Sequence, residues 1–412
     1  MTAPWLTVIG IGEDGAAGLS AAARAALAGA EAVIGGDRHH DLGDVSAAKR
    51  LTWPSPFDAM IGAIRSYRGR RLVVLATGDP LWFSVGARIA RSIPPEEIVF
   101  HPQISAFQWA ACRMGWSLAD VDTVTVHGRP VEQVIPQFWP GARLVILTAG
   151  PSTPVEVARL LCARGLGASS LTVLAHLGGP DECRLQGIAE DWSRADPTRF
   201  PAFHTLAVEC AGAPDLLLPR VPGLPDDAFR HDGKMTKREV RALTLAHLMP
   251  ARGEVLWDIG IGCGSVAIEW MRAAPDAAAI GFDTNAGRLA FARENALTLG
   301  TPALALVEGA VPGVMSEIDA PQGTKPDFRT PNAVFIGGGL SETVVDIALA
   351  RLATGGRLVA NAVTLESEAV LLALWQRHGG ELTRLSTARA DPVGGLTGWR
   401  PAMPVTQWSL VT

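Results

Sequence analysis

The chain has 412 residues, and at about 150 residues per domain it predicts two or three domains. Hydrophobic residues at 48% and charged ones at 19% exclude a disordered chain, which could not bury enough apolar surface to offset its conformational entropy. A net charge of -5, shared almost evenly by the two halves, excludes a general binder of phosphate backbones, so no nucleic-acid partner is expected.

Residues 1–12 lack a cationic segment ahead of an apolar run, so no signal peptide is expected there. Residues 6–9 predict a first strand, followed by the glycine turn 10–15 and an Ala-rich helix capped by Ser20. Glu13 and Asp14 suit either of two roles, facing a substrate or capping that turn, and capping is the one expected. His39-His40 reads as a surface turn. Further strands are predicted at 72–76, 98–101 and 123–127, and a second series opens with 144–148 and 171–176. Two α/β subdomains in the front half follow from this pattern.

Four prolines at 214, 219, 222 and 225 break helix and strand alike, which predicts a front domain over 1–213, a linker over 214–225 and a back domain over 226–412. In the back half, residues 236–239 have the form of a capping box. A strand over 254–259 leads through a glycine loop into a helix from Ser265. Strands at 279–283, 304–307, 334–336 and 357–360 follow, and 381–387 with 405–411 predict an antiparallel terminal pair. The expected fold is α/β throughout, with a Rossmann-like back sheet.

The five cysteines (Cys112, Cys162, Cys183, Cys210, Cys263) contain no CxxC pair, which argues against a disulfide scaffold and a structural zinc site. No run of about 18 apolar residues is present to span a bilayer. The expectation is a cytoplasmic protein with no metal and no membrane partner.

The most informative string is Asp258-Ile259-Gly260-Ile261-Gly262-Cys263-Gly264-Ser265. Alternate glycines let the chain turn sharply and let a ligand lie against bare backbone. Asp283, at the end of the next strand, can accept both hydroxyls of a ribose. The spacing suits S-adenosylmethionine better than a dinucleotide, because no pyrophosphate needs a helix N-terminus. In the front half, Thr77-Gly78-Asp79-Pro80, His101-Pro102-Gln103-Ile104-Ser105 and Val126-His127-Gly128-Arg129 are loops at strand C-termini, where open α/β sheets bind ligands.

Met235-Thr236-Lys237-Arg238-Glu239-Val240-Arg241, WDIGIGCGSVAIEW, VFIGGG and NAVTLES together resemble the decarboxylating precorrin methyltransferases of cobalamin biosynthesis, across nearly all of residues 226–412. The resemblance implies that Gly260, Ile261, Gly262, Cys263 and Gly264 wrap the methionine and ribose of S-adenosylmethionine and that Asp283 holds the ribose. It implies further that Thr236 closes on the cofactor and that Gly309 and Ala310 border the adenine. Asp283 in place of Glu, Asn332 in place of Asp, and the insertion-like stretch 321–331 depart from that pattern.

The opening VIGIGEDG, the three front loops and LGGPDE resemble the tetrapyrrole (corrin/porphyrin) methylase family over about residues 5–212. That implies a second S-adenosylmethionine cleft lined by Gly78, Asp79, Pro80 and Ser105, with Gln103 replacing a common glycine. The two resemblances together imply methylation of a precorrin at carbons 5 and 15, with loss of carbon dioxide from the C-12 acetate to give precorrin-8. They also imply a homo-oligomer.

A ring bearing several carboxylates calls for cations, and Lys237, Arg238, Arg241, Arg129 and Arg184 are candidates, with Glu366 as a substrate-orienting group. No GxSxG, HExxH or Cys/His cluster is present. His101, His127 and His176 read as packed core residues, and no catalytic residue is assigned. An RNA or protein methyltransferase, the cobalt-containing version of the same reaction, and a nucleotide-sensing module remain as alternatives.

Overall fold

A computed structural model describes residues 4–215, 217–316, 318 and 326–412, without the side chain of Ala48. Residues 321–325 of the insertion-like stretch lie outside the described residues. The chain divides into two compact units: residues up to Val131 with Phe138–Asp215 form the front unit, and Glu132–Gln137 with the chain beyond Leu216 form the back unit.

The front unit contains two sheets. In the first, β1 (Leu6–Ile11), β2 (Ala32–Ile34), β3 (Arg50–Leu51), β4 (Leu72–Thr77) and β5 (Ile98–His101) lie in the order β3-β2-β4-β1-β5, all parallel. Alternation explains its layering: Leu6, Val8, Leu72 and Val74 enter one buried cluster, while Ile9, Ile11, Val73 and Leu75 enter the cluster on the other face. The second sheet runs β6-β7-β10-β8-β9, from β6 (Asp122–Thr125), β7 (Arg143–Leu147), β8 (Ser170–Ala175), β9 (Cys183–Ile188) and β10 (His204–Glu209). Only its β6–β7 pair is parallel.

The back unit is a seven-stranded sheet in the order β13-β12-β11-β14-β15-β19-β16. Its strands are β11 (Val255–Ile259), β12 (Ala278–Asp283), β13 (Ala305–Glu308), β14 (Ala333–Ile336), β15 (Arg357–Ala362) and β16 (Glu381–Leu385), followed after a separate hairpin, β17 (Ala388–Val393) and β18 (Leu396–Pro401), by β19 (Val405–Val411). The predicted terminal pairing is present, with β19 antiparallel to both β15 and β16. Strand order reverses between β11 and β14, the switch point at whose strand C-termini open α/β sheets bind ligands.

Two local expectations are corrected here. The 236–239 string forms no capping box: the helix begins at Arg238, its N-cap Lys237 makes no side-chain cap, and the Asp226 carboxylate accepts from the Arg238 N–H at 3.0 Å instead. A carboxylate twelve residues away does the work expected of Thr236 because the proline-rich stretch folds back onto the helix. That stretch is packed: Leu224 is fully buried, Gly223 and Leu224 donate their N–H groups to Glu269, and Arg272 donates to the carbonyls of Leu218 and Pro219.

Candidate functional sites

In the back unit the glycine loop after β11 holds three residues in the left-handed region, Gly260 (φ 72°), Gly262 (φ 55°) and Gly264 (φ 84°). Each has a different reason. A Cβ on Gly260 would stand 2.6 Å from the Gly338 nitrogen, and one on Gly264 would press on Ala292 at 3.2 Å. A Cβ on Gly262 would meet only the Lys234 carbonyl, at 3.8 Å, so this position faces open space. Ile261 and Cys263 are buried, Ile261 against Gly281, and burial pushes the Cys263 thiol up.

Asp283 is placed by the same loop. Its Oδ2 accepts from the Gly262 N–H at 3.0 Å and its Oδ1 from the Asn285 N–H at 2.9 Å, so both oxygens are oriented by backbone and keep further lone pairs. Gly309 follows β13, its N–H donating to the Asp283 carbonyl at 3.0 Å, and Ala310 beside it is exposed. Asp258 lies beneath the loop. Its Oδ2 accepts from Ala267 N–H at 3.1 Å, while its Oδ1 is buried without a partner. Burial pushes this carboxyl up to about 7, with the Ala267 N–H opposing and Asp283 reinforcing. A bare-backbone cradle, an oriented carboxylate and open space at Gly262 fit a ribose-bearing cofactor such as S-adenosylmethionine.

Thr236 is half-buried, its carbonyl accepting from Arg241 Nη1 at 2.6 Å, in the segment whose Lys234 carbonyl approaches Gly262. Lys237 and Arg238 are exposed beside it. Arg241 is not a rim cation. Its side chain is fully buried and bound to Glu269 at 2.6 Å, to Asp226 at 3.2 Å and to the carbonyls of Thr236 and Leu224, which take four of its five N–H donors and hold it out of reach of a substrate carboxylate. Glu366 is exposed in the first turn of the helix Leu365–His378. Asn332 Oδ1 accepts from Val255 N–H at 2.9 Å, which makes it a brace at the start of β11 rather than a pocket residue.

In the front unit, the C-terminal loops of β1, β4 and β5 converge. A Cβ on Gly10 would stand 2.1 Å from the Gly78 carbonyl oxygen and 2.8 Å from Gln103, so the three loops touch through bare backbone. Gln103 takes up the space of a glycine and ties the loops instead, donating to the Gly18 carbonyl at 3.1 Å. Gly78 (φ 58°) packs on Ser105, and Asp79 closes an Asx turn by accepting from Leu81 N–H at 2.7 Å, ahead of buried Pro80. Ser105 is the N-cap of the helix Ala106–Met114, in a reciprocal capping box with Gln108. Arg129 is exposed, with its guanidinium 6.0 Å from the Phe83 ring, and Arg184 is exposed on the edge strand β9.

These loops bound a cleft lined by Thr77, Gly78, Ile104 and Ala106 from one side and by His176 and Phe203 from the other. Glu13 faces this cleft rather than capping the turn, bound to Arg38 and, at 3.0 Å, to His176 Nδ1. The packed-core expectation fails for three histidines: His101 and His176 are half-buried and His127 is exposed. His40, expected at a surface turn, is buried in the helix Asp37–Leu42 and bonds the Leu51 carbonyl at 3.1 Å. The Glu13–Arg38–His176 cluster escaped sequence reasoning because its members lie 25 and 138 residues apart. The one available signal was an acidic residue directly after the β1 glycine turn.

Among the described residues no His/Cys/Asp/Glu group is placed to hold a metal, and no helix is long and apolar enough to cross a membrane.

Comparison with known proteins matches residues 6–191 to the family described as Tetrapyrrole (Corrin/Porphyrin) Methylases, and residues 227–412 to the Precorrin methyltransferase domain. A "Precorrin-6Y C(5,15)-methyltransferase [decarboxylating]" of Sinorhizobium sp is 46% identical, over 99% of this chain and 97% of its own. Two shorter relatives are each 31% identical. One is a "Cobalt-precorrin-7 C(5)-methyltransferase" of Salmonella typhimurium, over 43% of this chain and 87% of its own. The other is a "Probable cobalt-precorrin-6B C(15)-methyltransferase (decarboxylating)" of Saccharolobus solfataricus, over 39% of this chain and 78% of its own.

Proposed function

Because the chain belongs to the family of decarboxylating precorrin-6Y C5,15-methyltransferases, we propose that its two units divide that family's reaction. It methylates a precorrin ring at carbons 5 and 15 and decarboxylates it, in cobalamin biosynthesis. The back unit performs the methylation at carbon 15 together with the decarboxylation, and the front unit the methylation at carbon 5. The two shorter relatives support this division, since their names separate carbon 5 from carbon 15 with decarboxylation.

S-adenosylmethionine, bound in each unit, supplies an activated methyl group. In the back unit Asp283 accepts the ribose hydroxyls through the lone pairs left by its two backbone donors, while Gly260 to Gly264 let the ligand lie on bare backbone. Thr236 and the segment before it cover the ligand, and Gly309 with Ala310 border the adenine. The front ligand lies against Gly78, Asp79, Pro80 and Ser105. Lys237 and Arg238 at the back rim, and Arg129 and Arg184 in front, meet ring carboxylates. Glu366 orients the ring.

The reduced ring's meso carbons are enamine-like and already nucleophilic, so both units act chiefly by alignment, which can supply roughly 7–11 kcal/mol of a barrier. Methylation at carbon 15 leaves an iminium beside the acetate-bearing carbon. The carboxylate's bonding pair can then flow into the ring as carbon dioxide departs, which places both events in one pocket.

Self-association and a cytoplasmic location belong to the same reading. The exposed Val393, Leu396 and Trp399 of the β17–β18 hairpin support the first, and five free thiols the second.

The observation that carries the proposal is the oriented Asp283 carboxylate beside open backbone at Gly262. Calorimetry of the whole chain with S-adenosylmethionine tests it: two sites are expected, and a single site in the wild type would refute it.

A further inference from the structure

Methylation of a ring carbon that carries hydrogen creates a proton to be removed. At carbon 5 the ring's electron pair forms the new bond to the methyl carbon, the methyl–sulfur bond breaks, and sulfur keeps that pair. The ring is left as an iminium with hydrogen and methyl on the same carbon. Breaking the carbon–hydrogen bond returns its pair to the ring and discharges the cation, and the proton needs an acceptor in the cleft.

We propose that His176 is that acceptor, held in its working tautomer by Glu13. The inference rests on the assignment of carbon 5 to the front unit. Four titratable side chains line the cleft, Glu13, Arg38, His176 and His204, and His39 stands behind Thr77. Glu13 is engaged on both oxygens, by Arg38 and by His176. Arg38 is a cation stacked 4.0 Å from the Phe203 ring centre. His39 has both nitrogens occupied, Nδ1 by the Gly36 N–H at 3.3 Å and Nε2 by Thr77 Oγ1 at 2.8 Å. His204 bonds the Pro201 carbonyl through Nδ1 at 2.6 Å, and its Nε2 is buried beyond the reach of a ligand.

His176 alone in this set combines orientation with access. Its Nδ1 lies 3.0 Å from Glu13 Oε2, its side chain is 34% exposed, and among the described residues its Nε2 has no protein partner. A carboxylate that accepts from Nδ1–H leaves the basic lone pair on Nε2 and stabilises the imidazolium formed on protonation. The backbone agrees. His176 sits at φ 49°, a left-handed conformation that a non-glycine residue holds at a cost. Three residues on, a Cβ at Gly179 would stand 2.6 Å from the Glu13 Cβ, so the loop after β8 packs against the base of the Glu13 side chain. Phe203 completes the seat, its ring 5.9 Å from that of His176.

The test uses the full chain, a precorrin substrate deuterated at carbon 5, and His176→Asn, since Asn tolerates the left-handed backbone. Formation of the doubly methylated product is expected to slow by about 10²–10⁴-fold, with a primary isotope effect at carbon 5 absent from the wild type. The singly methylated, decarboxylated intermediate should form at the wild-type rate, and calorimetry should find both S-adenosylmethionine sites intact. In ¹⁵N NMR, Glu13→Ala should abolish the Nδ1-protonated tautomer of His176. An unchanged rate at carbon 5 in His176→Asn would overturn the proposal, as would loss of front-site cofactor binding. A wild-type chain whose front unit leaves carbon 5 unmethylated would instead overturn the assignment beneath it.

Discussion

Gly262→Val separates binding from folding in the back unit. The position faces open space, with the nearest atom for a Cβ, the Lys234 carbonyl, at 3.8 Å. The folded protein therefore bears only the backbone cost of a side chain at φ 55°, about 1–2 kcal/mol. A ligand lying on that backbone meets a branched side chain, an overpacking of about 1–3 kcal/mol, or roughly five- to 150-fold in affinity. Gly260→Ala is the control: its Cβ collides with the Gly338 backbone at 2.6 Å, so it should lower stability first. Calorimetry should find the front site unchanged in Gly262→Val and the back site weakened or lost, with the melting temperature of the back unit lowered by only a few degrees. Undiminished back-site affinity in a folded Gly262→Val would refute the placement of the cofactor on this loop.

Asp258 carries a pH prediction. Burial pushes its folded carboxyl up to about 7 against 3.8 for the ordinary group, so between those values the folded state holds the extra proton. Its contribution to stability is full below about pH 4 and is lost as pH rises toward 7, and Asp258→Asn should flatten this slope in urea titrations. A truncation series follows from the packed proline stretch: a back-unit fragment starting at Leu217 should unfold at higher denaturant than one starting at Leu224, which loses the Leu218 and Pro219 carbonyls bound by Arg272. Equal midpoints would contradict that role. Glu269→Ala should destabilise the back unit by about 3–5 kcal/mol, because it leaves the buried Arg241 with Asp226 as its one carboxylate and strands the Gly223 and Leu224 N–H groups; chemical denaturation measures it.

Much of this architecture is legible in residue order. Parallel strands buried on both faces announce themselves as apolar runs, and 72–76 and 334–336 fall within β4 and β14 for that reason. The glycine string after β11 is equally plain, because sharp turns and backbone contact both require glycine. The short and the exposed strands are harder to read. Ala32–Ile34 and Arg50–Leu51 are too short to show a period, and Cys183–Ile188 is largely exposed. Charged residues mislead most. Arg241 looks like a surface cation until Glu269, Asp226 and two carbonyls close around it, and Glu13 looks like a turn residue until His176 arrives from the second sheet. Such partners are set by tertiary contact, which local spacing does not encode.

The division of chemistry between the units is tested most directly by mass spectrometry. A fragment from Leu217 onward, which carries all seven strands of the back sheet but not Glu132–Gln137, is incubated with precorrin substrate and methyl-labelled S-adenosylmethionine. The predicted product gains one labelled methyl group and loses one carbon dioxide, with carbon 5 untouched. A labelled product that keeps its carbon dioxide until the front unit is supplied would contradict the account.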